Sequence, residues 1–190
     1  MRLLAYRNLK SIGYNDDEIK AFAAENSVNS INDDGEVVER PARPSDKFVS
    51  PYPNDKAARA ANGGAYPPDL SLIVKARPDG ANYLHALLTG YVDAPAEKKV
   101  PDGMYYNKYY SGNLIGMPQP LYDDGVEYAD GTKATPDQMA KDVTAFLAWA
   151  SEPEMEERKQ LGITVILFLL VLTTLSYFAM KQIWAPVKNR

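Results

Sequence analysis

The sequence predicts a mostly α-helical domain with long ordered loops, followed by a single C-terminal transmembrane helix. Residues 161–180, LGITVILFLLVLTTLSYFAM, are twenty consecutive residues without a charge. As a helix they rise about 30 Å, the thickness of a bilayer's hydrocarbon core. Residues 135–151, TPDQMAKDVTAFLAWAS, carry a full set of helix-start signals and an apolar face. The 14 prolines and 13 tyrosines favour ordered loops held by aromatic packing over long regular elements.

Each element follows from local chemistry. In residues 15–25 Asn15 can cap a helix, with Glu18 three positions on and Asp16 and Asp17 at the positive end. Ile19, Phe22 and Ala23 then share a face. Residues 26–53 read as loop, with Asn, Asp, Gly and the prolines Pro41, Pro44, Pro51 and Pro53. Residues 54–62 read as a short helix capped by Asn54 and stopped at Gly63–Gly64. Pro67–Pro68 opens a further short helix over 69–76, ended by Pro78, and a helix over 81–90 stops at Gly90. Residues 91–134 read as irregular. In the helix at 135–151, Thr135 and Gln138 form a capping box and Pro136 takes the first helical position. Met139, Val143, Phe146, Leu147 and Ala150 are expected on its apolar face. No strand is expected.

The apolar run at 161–180 has only scattered Thr and Ser where a buried soluble helix would show a polar stripe. Lys181, Lys188 and Arg190 follow it, and the acidic segment SEPEMEERKQ, with Arg158 and Lys159, precedes it. The positive-inside rule places the C-terminus on the cytoplasmic or matrix side and the main domain in the periplasm or intermembrane space. Tyr177 and Trp184 suit the interfacial belt. The expected organisation is a domain at 1–153, a linker at 154–160, the span at 161–180 and a tail at 181–190. The apolar stretch in MRLLAYRNLKSIG is too short for an export signal, so an exported domain would need a preceding segment.

Composition excludes several chemistries. The chain has no cysteine, which rules out disulfides, thiolate metal sites and Cys-x-x-Cys-His haem attachment by its own side chains. Its one histidine, His85, rules out a multi-histidine site. Residues 1–158 carry 17 basic and 25 acidic side chains, a net of −8. Such a surface repels nucleic acid, and it either attracts a basic protein or serves solubility alone. No nucleophile motif or carboxylate pair suggests a hydrolase.

Longer stretches carry a resemblance: AYRNL (5–9), ERPARPSDKF (39–48), PYPNDKAARAANGGAYPPDLSLIVKAR (51–77), YLHALLTGY (83–91), NLIGMPQPLY (113–122), EYADGTKAT (127–135) and MAKDVTAFLAWASEPE (139–154). In this order they resemble the cytochrome c1 family over essentially the whole chain. The resemblance implies a cytochrome-c-like haem domain, N-terminally truncated, on a membrane anchor. The family's Cys-x-x-Cys-His motif lies just upstream of the segment matching Met1–Leu9, so the chain is expected to begin directly after it. The expected cofactor is haem c, with the covalent attachment motif absent from this chain.

The resemblance also implies roles for single residues. Met117 matches the family's axial methionine; a thioether is a soft donor that favours ferrous iron and raises the potential. Gly116 is expected to let the backbone approach the ring, and Pro118 to stiffen the loop. Asn62, Ala65, Pro67 and Pro68 match a haem-lining stretch. Arg77 matches an arginine near a propionate, where a guanidinium forms paired hydrogen bonds. Tyr83, Leu87, Leu88, Ile115 and Pro120 match apolar wall positions. His85 is read as a packed or exposed histidine, not a ligand. Asp123, Asp124, Glu127 and Asp130 match acidic surface that docks a basic cytochrome.

The implied function is an electron-transfer subunit of the cytochrome bc1 complex. It would stand beside cytochrome b in a bacterial or mitochondrial inner membrane and pass electrons from the Rieske iron–sulfur protein to a soluble cytochrome c. The alternative is a haem-less, membrane-anchored structural or assembly subunit, or a fragment with no autonomous activity. Without the family's N-terminal helix, the helix at 135–151 is expected to leave Met139, Val143, Phe146 and Leu147 partly uncovered.

Overall fold

The computed structural model describes residues 1–188. Asn189 and Arg190, and the side chains of Val187 and Lys188, lie outside the described residues, and with them part of the basic tail. The chain divides after Glu152 into two compact units.

The first core forms around Tyr6, which opens a 3-10 helix (Tyr6–Ile12) ended by Gly13 in the left-handed region at φ 105°. Helix α1 (Asp16–Ala24) starts as its sequence dictates. The Asn15 side chain accepts the Asp17 and Glu18 N–H groups at 3.0 and 2.9 Å, and the Glu18 carboxylate accepts the Asn15 N–H at 2.8 Å. Its inner face, Ile19 and Ala23, packs on Tyr6, Leu9 and Ala42, with Val28, Phe48 and Trp149 around them. Tyr6 stacks on Phe48 at 4.5 Å and meets Phe22 edge-on at 5.9 Å. Each such pair adds about 0.5–1.5 kcal/mol to the area buried.

Residues expected to be loop instead form an antiparallel hairpin of β1 (Ser27–Ile31) and β2 (Val37–Pro41), with Ile31 opposite Val37. Asn32 builds the turn: its side chain accepts the N–H groups of Asp34 (3.1 Å) and Glu36 (2.8 Å), and Gly35 takes φ 82°. Pairing overrides the weak local preference of these short segments, and Pro41 sits at the strand end, where its missing N–H breaks no ladder.

The loop after β2 is pinned by Asp46. Its carboxylate takes two hydrogen bonds from the Arg40 guanidinium, at 2.6 and 3.1 Å, and one from the Arg43 N–H at 2.7 Å. Arg40 foremost, then the Arg43 N–H, holds the Asp46 carboxyl down at about 2. The unfolded carboxyl, near 3.9, takes up its proton before the folded one, so this stability is present above about pH 4 and is lost as pH falls toward 2. Both side chains keep about a quarter of their exposure. Asp46→Asn is therefore expected to lose only about 1–2 kcal/mol at neutral pH. Thermal unfolding of the detergent-solubilised chain across the acid range checks this; an equally steep acid limb in the variant would place the effect elsewhere.

Helix α2 (Asp55–Ala61) is capped by Asn54, which accepts the Ala57 N–H at 2.9 Å, and it ends before Gly63 and Gly64, both at positive φ. The helix expected over 69–76 reduces to a 3-10 turn, Leu70–Leu72, followed by irregular turns. Asp69 ties its own start through the Ser71 N–H and hydroxyl, and the approach to Pro78 disfavours helical backbone at Arg77. Helix α3 (Gly80–Thr89) and helix α4 (Pro136–Ser151) pack on each other, and α4 also packs on the 70–72 turn. A second core of Ile73, Leu84 and Leu147, with Met1, Val74 and Tyr83, lies here.

The buried face of α4 is rotated from the one expected. Met139, Ala140, Thr144, Leu147, Ala150 and Ser151 are buried, while Val143 and Phe146 are 36% and 39% exposed. Small residues let the neighbouring segments approach closely, so Ala, Thr and Ser take the inner positions. Of the four residues expected to be uncovered, Val143 and Phe146 are, and Met139 and Leu147 are not. Trp149 turns toward the first core and donates to the Ser11 hydroxyl at 2.8 Å.

The second unit takes in the segment 154–160 expected to link the domain to the span. Helix α5 runs unbroken over Met155–Lys188. Glu156 and Glu157 in its first turn suit the positive end of the helix dipole. Its apolar side chains are exposed along the whole span. A helix apolar on every side and long enough to cross a bilayer satisfies its own backbone and needs lipid, not water, around it.

Candidate functional site

Two short strands, β3 (Tyr105–Tyr106) and β4 (Leu114–Ile115), form a second hairpin whose outgoing end leads into Gly116-Met117-Pro118. Asn107 fixes this hairpin to α3. It is fully buried, and its amide donates to the Leu87 carbonyl at 2.8 Å. Its side-chain oxygen accepts the N–H groups of Tyr109 (3.0 Å) and Tyr110 (3.2 Å). Its backbone N–H reaches Asn113 O at 2.9 Å, and the Asn113 side chain donates back to Asn107 O at 3.2 Å. Gly90 allows this approach: a Cβ there would sit 2.6 Å from Tyr109 Cδ2 and 2.7 Å from the Ala86 carbonyl. Tyr91, next in sequence, bridges to Asn107 and donates its hydroxyl to the Met117 carbonyl at 3.1 Å. Burial pushes the Tyr91 hydroxyl up to about 12, so it remains a donor at neutral pH.

Met117 itself is 36% exposed, while Ile115, two residues earlier, is buried. Gly116 is tight for a reason that sequence did not reveal. A Cβ there would lie 3.3 Å from the Ala65 side chain, so glycine lets the methionine loop press against the segment after α2. That contact unites two of the stretches singled out in the sequence.

The remaining residues fall as follows. Asn62 ends α2 and spends its amide on Tyr52 Oη (3.2 Å) and Ala58 O (2.7 Å). Ala65, Pro67, Pro68 and Pro120 are exposed, Leu87 and Leu88 are half-buried on α3, and Tyr83 packs against the second core. Arg77 is exposed, donates only to the neighbouring Ala76 carbonyl at 3.3 Å, and has no carboxylate partner among the described residues. His85 is bonded through Nε2 to Asp137 Oδ1 at 2.9 Å, which ties α3 to α4. Lys141 foremost, and His85 after it, lowers the Asp137 carboxyl. Asp123, Asp124, Glu127 and Asp130 are all exposed, and N–H donation from Thr132 lowers Asp130. Asn107, Gly90 and Tyr91 were not singled out in the sequence as site residues; a buried Asn in a tyrosine-rich loop looks like an ordinary turn former.

The donor set can be matched against a haem. It offers the accessible Met117 thioether, the Arg77 guanidinium without a carboxylate partner among the described residues, and exposed Tyr66, Leu70 and Leu72 flanking the Pro67–Pro68 segment. Soluble domains normally cover such side chains when they cluster. The described residues contain no thiol, and the one imidazole is engaged with Asp137. In donor chemistry they suit one side of a haem pocket.

The family model of the cytochrome C1 family matches residues 1–187. The chain belongs to the cytochrome c1 family. Arabidopsis thaliana cytochrome c1 1, a mitochondrial heme protein, is 52% identical over 192 residues, which cover 100% of this chain and 62% of that relative. Cytochrome c1 of Rhodospirillum rubrum is 48% identical over 206 residues, covering 100% of this chain and 76% of its own length. The cytochrome b/c1 protein of Bradyrhizobium diazoefficiens is 45% identical over 205 residues, 96% of this chain and 30% of that protein. The chain thus spans less than two thirds of the plant relative it matches.

Proposed function

We propose that this chain is part of the electron-carrying subunit of a cytochrome bc1 complex and that its residues 62–120 supply the methionine side of a haem c site. The observation that carries the reading is Met117, an accessible thioether that directly follows the buried Ile115 and Gly116 packed on Ala65, in a stretch whose resemblance to the family matches it to the axial methionine. Haem supplies one-electron chemistry when bound, and the protein's part is to bind, orient and tune it.

In this reading Met117 would hold haem iron through a soft thioether donor. Ala65, Pro67, Pro68, Ile115 and Pro120 exclude water beside the ring, with Tyr83, Leu87 and Leu88 behind them. Asn62 stops α2 so that the lining segment begins where it does. Arg77, free of any carboxylate of its own, pairs with a propionate. Haem c takes two thiols and a second ligand besides the thioether; this chain has no cysteine and its one histidine is engaged with Asp137, so in this reading those bonds would come from residues outside it. The exposed acids at 123–130 offer a salt-sensitive landing for a basic soluble cytochrome c. Helix α5 holds the domain at a bacterial or mitochondrial inner membrane beside cytochrome b and within reach of the Rieske protein. The C-terminus lies on the cytoplasmic or matrix side. The fused name of the Bradyrhizobium relative, cytochrome b/c1, supports the pairing with cytochrome b.

The test is purification from native membranes through an affinity tag on this chain. A c-type haem absorption band reducible by quinol, together with co-purifying cytochrome b and an iron–sulfur signal, is expected. A stably assembled but colourless complex would replace this reading with that of a haem-less structural subunit.

A further inference from the structure

The Met117 loop has few means of holding itself. Pro118 and Pro120 have no backbone N–H to donate, and Gly116 has no side chain. We propose that Tyr91 is a positioning residue for Met117, its hydroxyl anchoring the loop by donating to the Met117 carbonyl at 3.1 Å. This rests on the reading of Met117 as the axial ligand. The residue that supplies the sulfur is thereby tied by its own backbone to the C-terminal end of α3, twenty-six positions earlier in the chain.

The anchor is itself rigid. Tyr91 bridges to the fully buried Asn107, and the carbonyl of the preceding Gly90 accepts the Lys108 N–H at 3.0 Å. The phenol therefore projects from a fixed backbone, and its hydroxyl sets where the Met117 carbonyl can be. A thioether is a weak iron ligand whose bond survives only if the loop does not swing away. Loss of the hydroxyl frees the loop without altering the sulfur, and the iron becomes easier for an outside ligand to reach.

Imidazole titration of the ferric, haem-loaded complex reads this directly, since imidazole must displace the thioether to bind. Tyr91→Phe is expected to bind imidazole about fivefold more tightly, the equivalent of one neutral hydrogen bond of about 1 kcal/mol. Without imidazole it should still show the near-infrared charge-transfer band of methionine-ligated ferric haem. Tyr91→Leu, which also removes the ring, should show at least the same gain. Imidazole affinity unchanged in Tyr91→Phe, even with a lower melting temperature, would overturn the proposal and leave the ring as packing only. Met117→Leu separates the two readings. If that variant keeps the band, Met117 is not the ligand and the positioning role falls with it. If it loses the band while Tyr91→Phe binds imidazole as the wild type does, only the positioning role falls.

Discussion

Met117→Leu in the haem-loaded complex is expected to lower the midpoint potential on the order of 0.1–0.2 V, a fraction of the about 0.8 V range that axial ligands control. The direction follows from the donor. A thioether is soft and stabilises ferrous iron, and leucine offers iron nothing, so the ferric state gains. Leucine has nearly the volume of methionine, so packing changes little. The Tyr91 bond runs to the residue 117 carbonyl and survives the substitution. The loop therefore stays while the ligand goes, and the potential reports the sulfur alone. A redox titration followed at the haem band makes the measurement. On the proposed function, electron arrival from the Rieske centre then becomes less favourable and turnover of the whole complex should fall with it. An unchanged potential would mean that the sulfur never reached the iron.

What could be read from sequence divides along a physical line. Helix starts were legible because a cap is a local event: Asn15, Asn54 and Thr135 each cap the helix expected of them. The span was legible because lipid imposes one simple rule on twenty residues. The hairpin at 27–41 was not, because its pairing joins residues up to fourteen positions apart, and its Ile31 and Val37 stay exposed, leaving no alternation to read. The inner face of α4 was misjudged because Ala140, Thr144 and Ser151 are buried by closeness of approach and not by hydrophobicity. At the site, no pattern in composition or spacing distinguished Met117 from any loop methionine; resemblance to the family did that. Gly90, Tyr91 and Asn107 were illegible for a further reason. Their value lies in contacts between α3 and a hairpin that exist only after folding.

That junction is where a single polar substitution should do the most damage. Asn107→Ala removes a fully buried side chain, leaves the Tyr109 and Tyr110 N–H groups without their acceptor and leaves the Leu87 carbonyl only the Gly90 N–H at 3.4 Å. The expected loss is about 2–3 kcal/mol, since a buried group left unpaired costs about 1–3 kcal/mol and water and relaxation recover part of it for the two N–H groups. That is a large share of the roughly 5–15 kcal/mol that holds a domain together. Asn107→Asp divides the effect. The aspartate still accepts the two N–H groups, but its second oxygen now faces the Leu87 carbonyl, and two acceptors repel. A protonated carboxyl can donate to that carbonyl, so the folded variant holds its proton more tightly than the unfolded chain does. Its deficit against wild type should therefore be larger at neutral pH and shrink as pH falls through the raised carboxyl pKa. Chemical denaturation of the solubilised protein at several pH values measures both variants. Equal deficits at every pH would mean that the donor half of Asn107 contributes nothing. The predicted shrinkage would show that the amide's grip on α3 keeps the hairpin, and Met117 beyond it, in place.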